Sequence, residues 1–273
     1  ALAIVAAALF AAPAQAQLVG AAAGFADPTV DGFDVAFHRP GGLGELRGPA
    51  GVFTLPGNHP AIGGDRQAWI ENGHVVVPGA GAIFAPAADS VAVSASWVAW
   101  RQGGELVAAA LTDLVPRPVV VGAVGRPALA GTLLVFDIDG RIESLDLVTG
   151  VRTTLRREAG AQLRGPSVLG LELAYVRATR SRQQVRIGRL RPQRVSTDRA
   201  LYGTYPTARR DPGHEAGRFP AKGHINKPLW VRPPAGVSDT LTTTAARADS
   251  VFVTRVRQRR GRPAVATVLE VAR

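Results

Sequence analysis

The sequence predicts an all-β protein, a β-propeller of six four-stranded blades closed by an N-terminal strand. Glycine (31 residues) and proline (20 residues) are frequent in the chain of 273 residues, and Val and Thr are abundant, which favours short strands and turns over helices. An apolar strand that ends in an aromatic residue and is followed by a polar turn recurs along the chain. The interval of this recurrence suits a four-stranded antiparallel unit, the blade of a propeller.

The recurring aromatic residues mark the units in order. Their spacings are 32, 31, 36, 39 and 77 residues, and the last interval indicates an insertion or a degenerate copy. Units beginning near residues 27, 59, 90, 126, 165 and 239 give six blades. One aromatic residue at one position of every blade indicates core packing rather than a ligand cage. These aromatic residues are Phe37, Trp69, Trp100, Phe136, Tyr175 and Phe252.

The segment Asp137-Ile138-Asp139-Gly140 could open a calcium loop or form a hairpin turn. A calcium loop needs oxygen ligands at alternate positions and a terminal acid within about twelve residues. The residues that follow alternate between apolar and polar, as in a strand. Neighbouring units carry Glu71-Asn72-Gly73 and Gln102-Gly103-Gly104 at the same place, which keep the bend without the carboxylates. We therefore predict a hairpin of strands 133–138 and 141–147 around Asp139-Gly140.

The last unit contains only three strands, expected near residues 239–246, 249–256 and 264–272. A propeller removes its exposed edges by pairing the first and last segments of the chain. Residues 18–23 are therefore predicted to supply the outermost strand of the last blade. The region 199–235 is too rich in proline to form a seventh blade, because proline cannot donate to a sheet ladder.

The unit from Pro127 to Leu155 contains Phe136, the Asp139-Gly140 turn and an Asp-x-x-Thr-Gly phrase that ends at Gly150. It resembles a blade of the WD40-like propellers related to the TolB family, which commonly run strand, Asp-Gly, strand, Asp-x-x-Thr-Gly, strand. The Ser-Pro-Asp-Gly phrase of TolB blades and the combined Gly-His and Trp-Asp signature of true WD40 repeats do not occur. The resemblance implies a non-catalytic scaffold that binds a protein or a surface partner.

The first residues indicate export. Residues 1–12 form an uncharged, mostly apolar run, and Ala14-Gln15-Ala16 fits a small-residue cleavage site, so this segment resembles the end of a secretory signal peptide. The alternative is a membrane anchor, but alanine and glycine make the segment only weakly lipophilic. We expect residues 1–16 to belong to a signal peptide and residues 17–273 to form one exported domain that is periplasmic, cell-surface or extracellular. No stable membrane span is expected after cleavage.

Positive charge is concentrated in the second half of the chain. Residues 1–150 hold 7 Lys+Arg against 13 Asp+Glu, a net charge of −6, whereas residues 151–273 hold 25 against 8, a net charge of +17. Such asymmetry can produce a cationic face that attracts anionic polymers. The alternative is that the arginines only solvate strands, because just two of the 32 basic residues are Lys.

A non-repetitive loop insertion around residues 205–235 is the candidate partner-binding segment. We predict that it contacts a protein or an anionic cell-surface polymer. A metal site at its histidines is disfavoured, because no His-Glu-x-x-His spacing is present and proline and glycine indicate a loop. The predicted contact residues are Arg209, Arg210, His214, Glu215, Arg218, Lys222, His224 and Lys227.

No enzyme motif is present. The sequence contains no Gly-x-Ser-x-Gly elbow and no Walker loop, and the absence of cysteine excludes thiol nucleophiles and zinc-thiolate sites. We therefore assign no catalytic residue, metal or cofactor, and expect a monomer. The alternative is a propeller hydrolase or lyase acting on an extracellular anionic glycan, with arginines that face the channel. A propeller from a larger peptidase is a third possibility.

The remaining basic tract and histidines are interpreted as surface features. Residues 255–262 are rich in arginine but lack interleaved aromatics, and residues 258–262 are expected to form a hairpin turn, so nucleic-acid binding is not predicted. His38, His59 and His74 lie at strand ends or turns of three different units. Their spread along the chain argues against a shared role, and each is expected to be solvated or to cap a strand.

Overall fold

The structure, a computed structural model, describes residues 18–39, 42–205 and 229–273. These residues form 25 strands and one short 3₁₀ helix. The strands make six sheets, in which every pair of neighbouring strands but one is antiparallel. The innermost strands of successive sheets contact one another in a closed cycle, so the sheets stand in a ring. The protein is a six-bladed β-propeller, as the sequence predicts.

The strand that closes the ring comes first along the chain, and blades 1 to 3 follow it. These strands are β1 (Leu18–Ala23), β2 (Ala26–Asp31), β3 (Asp34–His38), β4 (Gly44–Gly48), β5 (Gly51–Leu55), β6 (Asn58–Gly63), β7 (Arg66–Glu71), β8 (His74–Val77), β9 (Gly81–Phe84), β10 (Ala88–Val93), β11 (Trp97–Gln102), β12 (Glu105–Ala110) and β13 (Arg117–Val121).

Blades 4 to 6 contain the remaining strands, and a 3₁₀ turn at Val195–Thr197 precedes the fourth strand of blade 5. These strands are β14 (Ala128–Ala130), β15 (Leu133–Ile138), β16 (Arg141–Asp146), β17 (Arg152–Arg156), β18 (Gln162–Leu169), β19 (Glu172–Ala178), β20 (Gln183–Arg189), β21 (Arg199–Thr204), β22 (Leu229–Val231), β23 (Val237–Ala246), β24 (Ser250–Arg259) and β25 (Val265–Ala272).

Blade 6 is completed by the N-terminal strand. The order of its strands is β1-β25-β24-β23, so β1 is the outermost strand, as predicted for residues 18–23. The pairing is antiparallel, with Ala21 opposite Leu269 and Ala23 opposite Thr267. This closure pairs the first described strand, β1, with β25 and gives the last blade its fourth strand.

The blade turns have the predicted geometry. Ile138 pairs with Arg141, which makes Asp139-Gly140 a two-residue hairpin loop. Both residues have positive φ, 49° and 75°, as the turn that matches the twist of a hairpin requires. Asn72 and Gly73 in blade 2 have a closely similar pair of positive φ angles, 49° and 74°. The hairpin interpretation of Asp137 to Gly140 is therefore confirmed.

The core lies between the blades. Each of six buried apolar clusters joins side chains of two adjacent blades, because alternate residues of the second strand point to opposite faces of the blade. In blade 1, Phe37 packs against Phe252 of blade 6, whereas Ala36 faces Ile62 of blade 2. None of the six recurring aromatic residues is more than 8% exposed, which confirms their role in packing.

Two details differ from the prediction. Blade 5 has a fifth strand, β22, which pairs in parallel with β21 and places Trp230 beside Gly203. A side chain at Gly203 would collide with the Trp230 ring, so glycine permits this added strand. Strand β24 extends through Arg259, and the turn expected at residues 258–262 therefore begins later. Strand β24 pairs with β23 as far as Arg259, which lies opposite Val237. This long ladder outweighs the turn preference of the polar tract.

Within the described ranges, no helix is long and apolar enough to cross a bilayer.

Candidate functional site

The channel at the centre of the ring is narrow. It is lined by the innermost strands of all six blades, mostly by Pro, Ala and Val side chains. Its free volume is about 60 Å³, room for only a few water molecules. A ligand larger than a single small group must therefore bind at an end of the channel rather than inside it.

Polar side chains gather at the end of the channel where the innermost strands begin, which we call the channel mouth. Each of the six blades contributes at least one of them, although they lie far apart in the sequence. All of them lie in innermost strands except Arg126, which precedes the innermost strand of blade 4. They are Asp27, His59, Asp89, Arg126, Arg164 and Thr243.

Irregular pairing places these side chains at the mouth. In five of the six blades the pairing of the innermost strand shifts register at this level, as at a β-bulge. Asp27 and His59 lie in these irregular stretches with positive φ, 52° and 49°, a conformation that non-glycine residues rarely adopt. Bulges and such strained residues are concentrated at functional sites, where they re-aim side chains.

Arg126 spans the mouth. It enters from blade 4, and its Nη1 lies 3.8 Å from Asp27 Oδ1 and 3.5 Å from the carbonyl oxygen of Pro28, both in blade 1 on the opposite side of the ring. The side chain is only 9% exposed, and its Nη2 is buried without a hydrogen-bond partner among the described residues. Burial lowers the pKa of Arg126, and Asp27 opposes this effect.

Asp27 is held ionised by its neighbours. Burial alone would raise the pKa of Asp27, but His59 and the charge of Arg126 outweigh it and hold this pKa well below its usual range. Thr243 donates to Asp27 Oδ1 at 3.1 Å, and His59 Nδ1 lies 3.6 Å from Asp27 Oδ2. The His59 ring stacks on His38 at 4.0 Å between centroids. Burial and the nearby His59 lower the pKa of His38 to about 4, so His38 is neutral at pH 7.

Asp137 is a further acid of the mouth, and its pKa is shifted in the opposite direction to that of Asp27. Burial raises its pKa to about 6, although the backbone N–H of Gly165 and the charge of Arg101 oppose this shift. The N–H of Gly165 donates to Asp137 Oδ1 at 2.9 Å. Arg101 is itself held by Asp89 through two hydrogen bonds of 2.7 and 2.9 Å. Besides Asp89, the mouth thus contains the firmly ionised carboxylate of Asp27 and the carboxyl group of Asp137, which titrates near neutral pH.

Arg164 contributes a further guanidinium group to the mouth. Its Nη2 donates to Gln183 Oε1 at 2.7 Å, and its Nε is buried without a partner among the described residues. Burial lowers the pKa of Arg164, and the charge of Asp137 opposes this. Arg126 and Arg164 therefore both retain N–H groups that an acceptor on a ligand could use.

The partner-binding residues that the sequence predicts all belong to the insertion. The eight residues of the insertion, Arg209, Arg210, His214, Glu215, Arg218, Lys222, His224 and Lys227, lie outside the described residues, so their partner-binding role stays a prediction. Among the described residues, no group of three or more His, Asp or Glu side chains is arranged to hold a metal ion.

Two of the histidines lie side by side despite their spread along the chain, and His38 Nδ1 accepts the backbone N–H of His59 at 3.3 Å. His38 ends the second strand of blade 1 and His59 begins the first strand of blade 2, so adjacent blades bring them together. His74 lies apart from them, against Phe84. No local motif in the sequence marks Asp137 or Arg126 as residues of the mouth, because the mouth is built from six separate blades.

Comparison with known proteins supports the fold and nothing more specific. No family model and no curated protein matches the sequence. Hsv2 of Kluyveromyces lactis is similar in structure, with a TM-score of 0.50 and 9% identity over 89% of this chain and 75% of that chain.

Two further solved structures are more distant. The computationally designed Ika8 protein has a TM-score of 0.46 and 12% identity over 91% of this chain and 71% of that one. A structure described in an analysis of two prolyl endopeptidases has a TM-score of 0.45 and 14% identity over 88% of this chain. The match covers 38% of the endopeptidase chain. The similarity to Hsv2, at 9% identity, shows the propeller fold alone.

Proposed function

We propose that this protein is an exported, non-catalytic scaffold that binds a partner carrying a carboxylate, and that the carboxylate enters the channel mouth. The observation that supports this proposal is Arg126, an almost fully buried guanidinium group that lines the channel and whose Nη2 has no hydrogen-bond partner among the described residues. Arginine recognises carboxylates through paired N–H donors. The narrow channel has room for the carboxylate but excludes the rest of the partner.

The acids of the mouth favour a partner that also carries hydroxyl groups. Asp27 is ionised and Asp137 is ionised above its pKa of about 6, so both accept hydrogen bonds near neutral pH. A bare carboxylate would meet repulsion from them, whereas a sugar acid places hydroxyl donors beside the acids and its carboxylate beside Arg126. Glucuronate is therefore the probe of choice, with glucose as its neutral counterpart.

Isothermal titration calorimetry of the protein with glucuronate tests this proposal. We expect glucuronate to bind more tightly than glucose, and Arg126→Gln to weaken glucuronate binding by about tenfold or more, because a charge-assisted hydrogen bond is lost. Arg117→Gln is the matched control, since this arginine is two-thirds exposed on the outer strand of blade 3. Equal affinity for the two sugars, or an equal loss in the control variant, would contradict the proposal.

A propeller hydrolase or lyase acting on an anionic glycan is the second candidate function. Asp137 favours it, because a carboxyl group with a pKa of about 6 can both accept and donate a proton near neutral pH. Asp27, at the same end of the channel, is ionised, and two acids with separated pKa values are the arrangement that acid–base catalysis uses. If the candidate is correct, incubation with a polyuronate releases new reducing or unsaturated ends, and Asp137→Asn abolishes this activity. Intact polymer after prolonged incubation would exclude the enzyme.

Export is proposed from the first residues alone. The apolar run that precedes Ala14-Gln15-Ala16 supports cleavage after Ala16. N-terminal sequencing of the protein purified from its native host is expected to begin at Gln17. A start upstream of this run would favour a retained anchor.

A further inference from the structure

A groove with exposed arginines lies at the opposite end of blade 5 from the channel mouth. It is lined by Arg189 at the end of β20, Arg191 in the following loop and Arg199 at the start of β21, and we call it the arginine groove. Gln193 and Thr197 also line it, and the Glu172–Arg273 ion pair lies at one side. Because Arg189 pairs with Glu172, the groove lies at the far end of these strands from Gln162 and the mouth.

The three arginines of the groove form no salt bridge with any residue that the structure describes. All three are exposed, and the salt bridges of the described part of blade 5 use other arginines, namely Arg177 and Arg156, with Arg273 reaching in from blade 6. Three guanidinium groups that share one groove without carboxylate partners repel one another and attract anions. The arginines of the groove therefore account for part of the positive charge that is concentrated after residue 150.

A buried ion pair holds the arginine groove in place. Arg156 and Asp198 are fully buried and joined by hydrogen bonds of 2.6 and 3.2 Å. The same guanidinium donates to the backbone carbonyls of Arg189 and Arg191, each at 2.6 Å. The backbone that carries the exposed Arg189 and Arg191 is therefore fixed from below by the buried Arg156.

Contacts around Asp198 extend this support. Asp198 accepts hydrogen bonds from Tyr175 at 2.5 Å and from Gln193. Gly188 allows the close approach, because a Cβ there would lie 1.7 Å from Asp198 Oδ1. A surface that is already ordered loses little conformational entropy on binding, which favours affinity.

The size and lining of the groove select the class of ligand. Its free volume is about 550 Å³, within the range of roughly 300–1,000 Å³ typical of sites that enclose a small-molecule-sized segment. No aromatic side chain is among its lining residues in the described part of the chain, so it offers nothing on which nucleic-acid bases could stack. A concave surface also fits a chain better than a flat bilayer.

We infer that the arginine groove binds an acidic polysaccharide through its sulfate or carboxylate groups. Arginine matches both groups geometrically, since its planar fork donates two parallel hydrogen bonds to paired oxygens. This surface is separate from the channel mouth and does not depend on the function proposed for the mouth. A protein with both sites would hold a polymer on one face and recognise a carboxylate on the other.

Binding of fluorescent dextran sulfate, followed by anisotropy, tests the inference. The groove variant is Arg191→Gln with Arg199→Gln, and the matched control is Arg259→Gln with Arg260→Gln, two exposed arginines at the tip of blade 6 with the same loss of charge. We expect the groove variant to weaken binding by tenfold or more and to reduce its salt dependence, because two ion contacts are lost. The control is expected to change the affinity by less than about threefold.

Further binding measurements identify the class of ligand and distinguish the arginine groove from the channel mouth. Uncharged dextran is expected not to bind, and Arg126→Gln at the mouth is expected to leave dextran sulfate binding unchanged. Equal losses in the groove and control variants would overturn the inference in favour of diffuse charge. Tighter groove-dependent binding of oligo(dT), or of vesicles containing phosphatidylserine, would overturn it in favour of nucleic acid or membrane. Circular dichroism of each variant verifies that the fold is retained.

Discussion

Replacement of Asp198 by Ala is expected to lower the free energy of unfolding by about 3–5 kcal/mol. Arg156 has no exposed side-chain surface, and Asp198 is the carboxylate that balances its charge. Removing this carboxylate leaves a buried guanidinium unpaired and takes the acceptor from Tyr175. Urea denaturation at pH 7 measures the change through the shift in the midpoint.

The control for this prediction is an ion pair at the surface. Asp249 pairs with Arg247 but is 71% exposed, and Asp249→Ala is expected to cost less than about 1 kcal/mol. Similar losses in the two variants would contradict the importance of burial. The Asp198→Ala variant is also expected to weaken dextran sulfate binding at temperatures where it remains folded, because Arg156 no longer orders the carbonyls of Arg189 and Arg191.

Replacement of Asp137 by Asn is expected to stabilise the protein at neutral pH by up to about 3 kcal/mol. Burial raises the pKa of Asp137 from 3.8 to about 6, so the folded state binds the proton more tightly than the unfolded state. Ionisation therefore costs stability as pH rises from about 4 to about 6, and the full cost persists above that range. Asn has the same shape, carries no charge and still accepts the Gly165 N–H.

The pH dependence separates this effect from a general change in packing. Thermal unfolding of the two proteins from pH 4 to pH 8 is expected to show similar stability at pH 4 and a widening advantage for Asp137→Asn up to pH 6. Asp113→Asn is the control, because Asp113 lies on an exposed turn of blade 3. A stabilisation of Asp137→Asn that is the same at every pH would show that burial does not raise the pKa of Asp137.

The expected stabilisation bears on the function of the channel mouth. A buried carboxylate that destabilises the fold, two residues with strained backbone and a guanidinium with an unused donor all occur at one level of the ring. Natural proteins tolerate such costs mainly where a site acts on a ligand. The mouth therefore remains the best place to search for the partner, whether it is bound or chemically altered.

Much of the fold is predictable from the sequence because its determinants are local. The turn at Asp139-Gly140 depends on two adjacent residues that accept positive φ, and the aromatic residues recur because every blade fills the same position in the core. The closing strand at residues 18–23 also follows from the sequence, since the last unit lacks one strand and a propeller leaves no edge unpaired. The fifth strand of blade 5 did not follow, because it depends on a contact between Trp230 and Gly203.

The sequence by itself determined the blades, their number and how the ring closes, because each blade is a short-range unit with its own repeat. Only the tertiary structure decided which polar side chains meet. Asp27 and Arg126 are 99 positions apart and face each other because blades 1 and 4 stand on opposite sides of the ring. Arg156 supports the arginines of the next blade through backbone carbonyls, which no side-chain pattern records. Sites assembled from separate blades by ring closure leave no spacing in the sequence from which they could be recognised.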